Sequence, residues 1–205
     1  TVLWFGRLLK LKRVDTLIRA VSALSSLAGS PIKLKIIGTG PKENALRRLA
    51  DKLGIGAWVE FSPPVKIDRI REEIRWADVC VVTSNGQEGW GVAVNEIMLE
   101  GRCAVISRAT GAGITLVCDG ENGLLFKSGN ANDLARQLQR VRTDATFRSR
   151  LADVGRTTML CEWTPGVAAE RLLQFAEQVM AGKPVSLWNT GPMSYAKCER
   201  PVVPH

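Results

Sequence analysis

"ADVCVVTSNGQEGWGVAVNE", residues 77–96, is the stretch whose reading decides the fold. Its first part, Val79 to Val82, is apolar at every position and rich in β-branched side chains. A strand that is apolar throughout is covered on both faces, which is the habit of a parallel sheet. Three glycines follow within six residues, Gly86, Gly89 and Gly91. Then Val92, Ala93, Ile97 and Met98 recur at helical spacing, predicting a helix over 91–101. Strand, glycine-rich loop and helix in that order make half of a βαβ unit, with the loop at the strand's carboxyl end.

The same alternation runs outward in both directions. "TVLWFG" (1–6), "IKLKIIG" (32–38), "AWVEF" (57–61), "DVCVVTS" (78–84), "CAVIS" (103–107) and "GLLF" (123–126) read as strands. Helical spacing is expected over 14–27, 41–53, 66–77, 114–118, 131–143, 145–154 and 164–181. The fold class expected is therefore α/β, a Rossmann-like parallel sheet with helices on both faces, followed by carboxy-terminal helices and a tail. Residues 1–181 form the expected domain, and the Pro- and Gly-bearing 182–205 the tail. Ligands in such sheets bind beyond the carboxyl ends of the strands, so the loops after Phe5, Ile37, Phe61, Val82 and Ile106 are the ones to inspect.

Composition narrows the chemistry. The 205 residues carry one histidine, His205. A Ser-His or Cys-His nucleophile pair has no base to use, and His-rich metal sites are excluded. The five cysteines at 80, 103, 118, 161 and 198 form no Cys-x-x-Cys, so neither a zinc site nor a redox motif is expected. Their odd number and scatter point to a reducing cytoplasm. No apolar run reaches the length of a membrane-spanning helix. The chain opens at Thr1 directly into a strand without a methionine, as a piece of a longer protein would. Net charge is +8, and residues 1–75 hold 15 Lys and Arg against 7 Asp and Glu, while 76–205 hold 13 of each. That asymmetry suits solvated helix faces, a phosphate-bearing ligand or an anionic membrane surface. The single tyrosine and the lack of aromatics among the basic helices speak against nucleic acid.

Four loops are candidates. In "FGRLLKLK" (5–12), Gly6 permits a tight exit, and Arg7 and Lys12 could converge on a diphosphate or form a solvated loop. "IIGTGP" (36–41) resembles half of a dinucleotide fingerprint, with Glu43 where the third glycine would stand. "RATGAG" (108–113) is another backbone-rich loop. The fourth loop carries Glu88 and Glu96, which bracket Gly89-Trp90-Gly91. If both lay along one helix, eight residues would separate them by ~12 Å. A glycosidase pair faces itself across one bond at ~5–9.5 Å. The spacing therefore favours two ligands for one elongated molecule. Glu88 could equally be an ordinary charge at a helix N-terminus. For Glu96 the apolar neighbours make an idle carboxylate costly.

Taken in order, "FGRLLKLKRVDTLIRA", "KLKIIGTGP", "VEF", "ADVCVVTS", "EGWGVAVNEIMLEG" and "DGENGLLF" resemble the carboxy-terminal domain of glycosyltransferase family 4, the retaining GT-B-fold sugar transferases. The likeness covers about residues 1–181, and Glu88-x7-Glu96 with its glycine loop is its specific part. The resemblance implies one half of a GT-B fold that binds a UDP- or GDP-sugar without a metal or other cofactor. It implies that Arg7 and Lys12 hold the donor diphosphate, Glu88 the sugar hydroxyls and Glu96 the ribose hydroxyls. Gly6, Gly38 and the backbone from Gly89 through Trp90 and Gly91 to Val92 would face the donor, and Val59 and Phe61 would border the base. The acceptor, a glycan, a lipid-linked or a small molecule, would bind a missing amino-terminal domain, toward which "SLWNTGPMSYAKCERP" (186–201) would pack. Apart from the resemblance, the positive excess of residues 1–75 makes peripheral contact with the inner membrane face an expectation. Thr115 stands where the family often has an acidic residue, Ile97 where alanine is common and Arg13 where many members have glycine. A sugar-nucleotide-binding module without transfer activity is the alternative expectation.

Overall fold

The computed structural model describes residues 1–28 and 31–195 of the chain. Cys198, His205 and the end of the expected tail lie outside the described residues. Six parallel strands form one sheet: β1 (Val2–Phe5), β2 (Leu34–Ile37), β3 (Val59–Ser62), β4 (Val79–Val82), β5 (Cys103–Ser107) and β6 (Leu124–Phe126). Their order is β3-β2-β1-β4-β5-β6, the doubly wound arrangement. The helices are α1 (Val14–Ala28), α2 (Glu43–Lys52), α3 (Ile67–Trp76), α4 (Ala93–Leu99), α5 (Gly111–Leu116), α6 (Ala131–Thr143), α7 (Ala145–Cys161) and α8 (Pro165–Met180).

Alternation along the strands builds two cores. Trp4, Ile36, Val81, Val105 and Phe126 face α1, α2 and α6, where Leu17, Leu46 and Leu138 meet them. Leu3, Ile37, Cys80, Ala104 and Leu125 face the other way, onto Ile74, Ile97 and Leu116 of α3, α4 and α5. Both faces being covered explains why β1, β4 and β6 read as unbroken apolar runs, while Lys35 of β2 is satisfied by Glu60 of β3 and Glu73 of α3. Helix α7 serves both layers, through Leu151 and Met159.

Sheet order reverses between β1 and β4. These two strands pair only at Val2 with Val79 and Leu3 with Cys80, although each runs two residues further. Beyond that point they splay, and a crevice opens at their carboxyl ends. Thr83 seals its floor: Trp4 Nε1 donates to Thr83 Oγ1 at 3.2 Å, and Thr83 Oγ1 donates to the Lys12 carbonyl at 2.5 Å.

Candidate functional site

The loop after β1 is built by backbone approach. Gly38 has φ +140°, and a Cβ there would stand 1.9 Å from the Gly6 carbonyl oxygen. Only glycine fits, so the "IIGTGP" turn is packed against the Gly6 loop. Leu8 N donates to Thr39 O at 3.0 Å, and Lys42 N to Leu8 O at 3.1 Å. Thr39 Oγ1 donates to Glu43 Oε2 at 3.2 Å, and Arg47 pairs with Glu43 at 2.8 Å. Glu43 therefore occupies the third-glycine position as a partner for the loop and for Arg47. Burial pushes its carboxyl up, but the Arg47 and Thr39 hydrogen bonds, Arg47's largest of all, leave it below the usual carboxylate range. Lys10–Lys12 form one 3-10 turn, and this aims Lys12 across the crevice.

Lys12 meets Glu88 there. Its ammonium donates to Glu88 Oε2, and the Ser84 hydroxyl donates to the same oxygen at 3.1 Å. The pair is mostly shielded, with side chains 25% and 18% exposed. Asn85 N donates to Leu11 O at 2.9 Å and ties the two loops by backbone as well. Arg7 stands at the crevice edge, exposed, and its guanidinium has no hydrogen-bond or ion-pair partner among the described residues.

The glycine loop corrects one expectation. The helix predicted over 91–101 begins at Ala93, because Gly91 adopts φ +87° and turns the chain out of the helical path, and it ends at Leu99, just before Gly101 at φ +64°. Glu88 lies in the loop ahead of the helix, so the rise along one helix does not describe its separation from Glu96. Gly89 and Trp90 spend their carbonyls on α5: Gly111 N donates to Gly89 O at 3.2 Å and Ala112 N to Trp90 O at 2.8 Å. Thr110 caps α5, its Oγ1 accepting from Gly113 N at 3.1 Å. Trp90 is 41% exposed and its Nε1 donates to Asn95 Oδ1 at 2.8 Å. Val92 is exposed beside it.

Glu96 is half-buried on α4 and has no hydrogen-bond or ion-pair partner among the described residues. Burial raises its pKa, and the charge of Arg71 on α3 only partly offsets that. A carboxylate kept at such a cost with its acceptors unused suits a hydroxyl-bearing ligand.

The structure thus brings Gly6, Arg7, Lys12 and Glu88 to the β1–β4 crevice, with Gly89 to Val92 and Glu96 on its β4 side. Two expected residues stand apart. Val59 is in register with Leu34 and, through β2, Val2, at the amino-terminal end of the sheet. Phe61 packs toward the α2 layer with the Arg47 guanidinium 4.5 Å above its ring. Sequence reasoning missed Thr83, Ser84, Asn95 and Thr110, which hold the loops in place. A small polar residue directly after a buried strand was the available signal for the first two. Among the described residues, no group of His, Cys, Asp and Glu is arranged to hold a metal ion.

Residues 1–158 match the family described as glycosyl transferases group 1. The chain belongs to that family. Among group 1 relatives, it is 30% identical over 183 residues to the lipopolysaccharide core biosynthesis glycosyltransferase LpsE of Rhizobium meliloti, covering 89% of this chain and 50% of LpsE. It is 34% identical over 160 residues to the D-inositol 3-phosphate glycosyltransferase of Thermomonospora curvata, covering 74% of this chain and 36% of that protein. The chain spans half or less of the length of these two relatives. Its fold matches Anabaena HepE, solved in complex with UDP, with a TM-score of 0.72 at 23% identity, over 88% of this chain and 48% of HepE. That likeness carries the GT-B architecture for this glycosyl transferase group 1 chain. No helix of the described residues is long and apolar enough to cross a membrane.

Proposed function

We propose that this chain is the donor-binding, carboxy-terminal half of a retaining family 4 glycosyltransferase, taking a UDP- or GDP-sugar. The observation that carries the reading is the crevice pair: Lys12 and Glu88 on facing loops, with the unpartnered Glu96 on the adjoining helix. Lys12 and Arg7 supply two cations for a diphosphate. Glu88 accepts from sugar hydroxyls and Glu96 from the ribose. In the transfer step the bond from the anomeric carbon to the diphosphate oxygen breaks, and the acceptor oxygen bonds that carbon on the same face. The acceptor proton passes to the leaving phosphate, whose charge Lys12 and Arg7 stabilise. No histidine base is needed, and no metal. The acceptor, a glycan or lipid-linked hydroxyl, would be held by a further domain, in keeping with relatives at least twice as long over the matched share. Exposed cations on α1, on α2 and at the entrance to α2, Arg19, Lys42, Arg48 and Lys52, suit an anionic membrane surface at the cytoplasmic face.

Calorimetric titration of the chain with UDP-glucose and GDP-mannose tests the reading. Saturable binding of one of them, lost in Lys12→Ala and in Glu96→Ala, is the expected result. Absence of binding to either, or affinity unchanged in both variants, would overturn it.

A further inference from the structure

A cavity of about 540 Å³ opens between α5, the end of α7 and the segment that follows α8. Trp90 lines it, but neither Lys12 nor Glu88 does. Its outer wall is fixed in place. Arg171 of α8 donates to the carbonyls of Thr190 at 2.5 Å and Pro192 at 2.9 Å, and its guanidinium lies 5.1 Å from the Trp188 ring. A bridge between Trp188 and Ser194 closes the turn. The size is within the range of ligand-binding pockets, about 300–1,000 Å³.

The lining chemistry is selective. In a chain of net charge +8, the charged residues lining this cavity are both acidic, Glu121 and Glu162. Neither carboxylate has a hydrogen-bond or ion-pair partner among the described residues, and the same holds for the Trp163 indole N–H and the Thr115 hydroxyl. Trp90, Trp163 and Tyr195 add aromatic surface, Tyr195 being 62% exposed. Two unpaired carboxylates repel phosphate and nucleotide. Free hydrogen-bonding groups penalise a purely apolar guest. What remains is a molecule that is neutral or cationic, rich in hydroxyl donors, and has C–H faces that lie on aromatic rings. A saccharide meets all three conditions.

We propose that this cleft is a second saccharide-binding site, distinct from the crevice at Lys12 and Glu88, that takes neutral or amino sugars and rejects anionic ones. Saccharide hydroxyls donate to Glu121 and Glu162 while the ring faces rest on Trp163 and Tyr195. The test is calorimetric titration of the full chain with N,N′-diacetylchitobiose and with its deacetylated, cationic counterpart. Both should bind saturably, the cationic sugar several-fold more tightly. Glu162→Gln should reduce that preference, since Glu121 remains, and Tyr195→Ala should weaken both ligands about tenfold. Neither variant removes a hydrogen bond within the chain, so thermal melting should be unchanged. Lys12→Ala should leave saccharide binding intact while removing the nucleotide-sugar binding proposed above, so the two readings fail separately. No saturable binding of either disaccharide overturns the proposal, as does binding that Glu162→Gln and Tyr195→Ala both leave unchanged.

Discussion

Gly111→Ala separates packing from propensity at the Gly-Trp-Gly loop. Gly111 is the first residue of α5, where alanine is intrinsically favoured over glycine by up to about 1 kcal/mol. Propensity alone therefore predicts a more stable protein. The structure predicts the opposite. An added Cβ would stand 2.6 Å from the Gly89 carbonyl oxygen and 3.3 Å from Trp90 Cε3. Carbon and oxygen normally touch at about 3.3 Å or more, so the loop must retreat by a good fraction of an ångström. Retreat lengthens both bonds that hold it, Gly111 N to Gly89 O and Ala112 N to Trp90 O. Two neutral hydrogen bonds contribute about 1–3 kcal/mol together. Set against the propensity gain, the net is a loss of about 1 kcal/mol. Donor binding should suffer more, because the displaced backbone lies between Glu88 and Glu96. Urea unfolding reads the first effect and nucleotide-sugar calorimetry the second. Gly86→Ala is the control: a Cβ there meets no atom within 4 Å, and the change should fall within about 0.5 kcal/mol. A Gly111→Ala protein more stable than the parent by about 1 kcal/mol, with donor affinity intact, would refute the close-approach reasoning.

Three further outcomes follow from the same geometry. In a double-mutant cycle of Lys12→Met and Glu88→Gln by urea unfolding, the shielded pair should show a coupling of about 1–2 kcal/mol, and strict additivity would contradict the pairing. Because burial raises the Glu96 pKa in the fold, its contribution to stability is fully present below its unfolded value and lost as pH rises through the raised one. Glu96→Gln should accordingly raise the melting temperature at pH 7–8 and do so much less near pH 4, a pattern that an equal gain at both would exclude. Cys80 and Cys103 are buried, and burial pushes their thiols up, that of Cys103 to about 12. A maleimide followed by peptide mass mapping should label exposed Cys161 at once and leave Cys80 and Cys103 unmodified until denaturant is added; early labelling of either would show that this core opens.

The sheet was legible because burial on both faces keeps β1, β4 and β6 wholly apolar, while β2 and β3 each carry one charged residue, Lys35 and Glu60, which pair with each other. The helices were legible where periodicity had room. It failed where glycine serves a contact. Residues 145–154 read as a helix that stops before Gly155, yet α7 runs on to Cys161. A Cβ at Gly155 would stand 2.8 Å from the Asn122 carbonyl oxygen, so this glycine marks close helix–loop packing, and the helix passes through it. The reverse happened at Gly91, where helical spacing extended the expected α4 across a residue with φ +87°. α5 was expected over 114–118 and begins at Gly111 instead, since its glycines accommodate the loop carbonyls that only the folded chain brings there. In the site, Lys12 and Glu88 are 76 positions apart, and their meeting depends on the β1–β4 reversal. Residue types suggested both as ligands; nothing in their local sequence suggested them as partners. Val59 shows the limit of reasoning from motif order, because strand register alone decides which end of β3 faces the crevice.

That Lys12 already holds Glu88 is compatible with a role toward phosphate, and chemistry says why a lysine stands there. An ammonium has three rotatable donors and no preferred plane. One suffices for Glu88 Oε2, which Ser84 also serves, leaving two for diphosphate oxygens. A guanidinium would match the Glu88 carboxylate as a bidentate fork and turn its edge away from the crevice. Arg7, by contrast, is exposed and without a partner, so its fork is available for a bidentate grip on a phosphate arriving from solvent. In the proposed donor complex the two cations would divide the work: Arg7 would capture the diphosphate, while Lys12 would link the charge of the leaving group to the carboxylate proposed to read the sugar. Glu88 is then held in one position by Lys12 and Ser84 before any donor arrives, and the ordering that a free loop carboxylate would lose on binding is already in the fold.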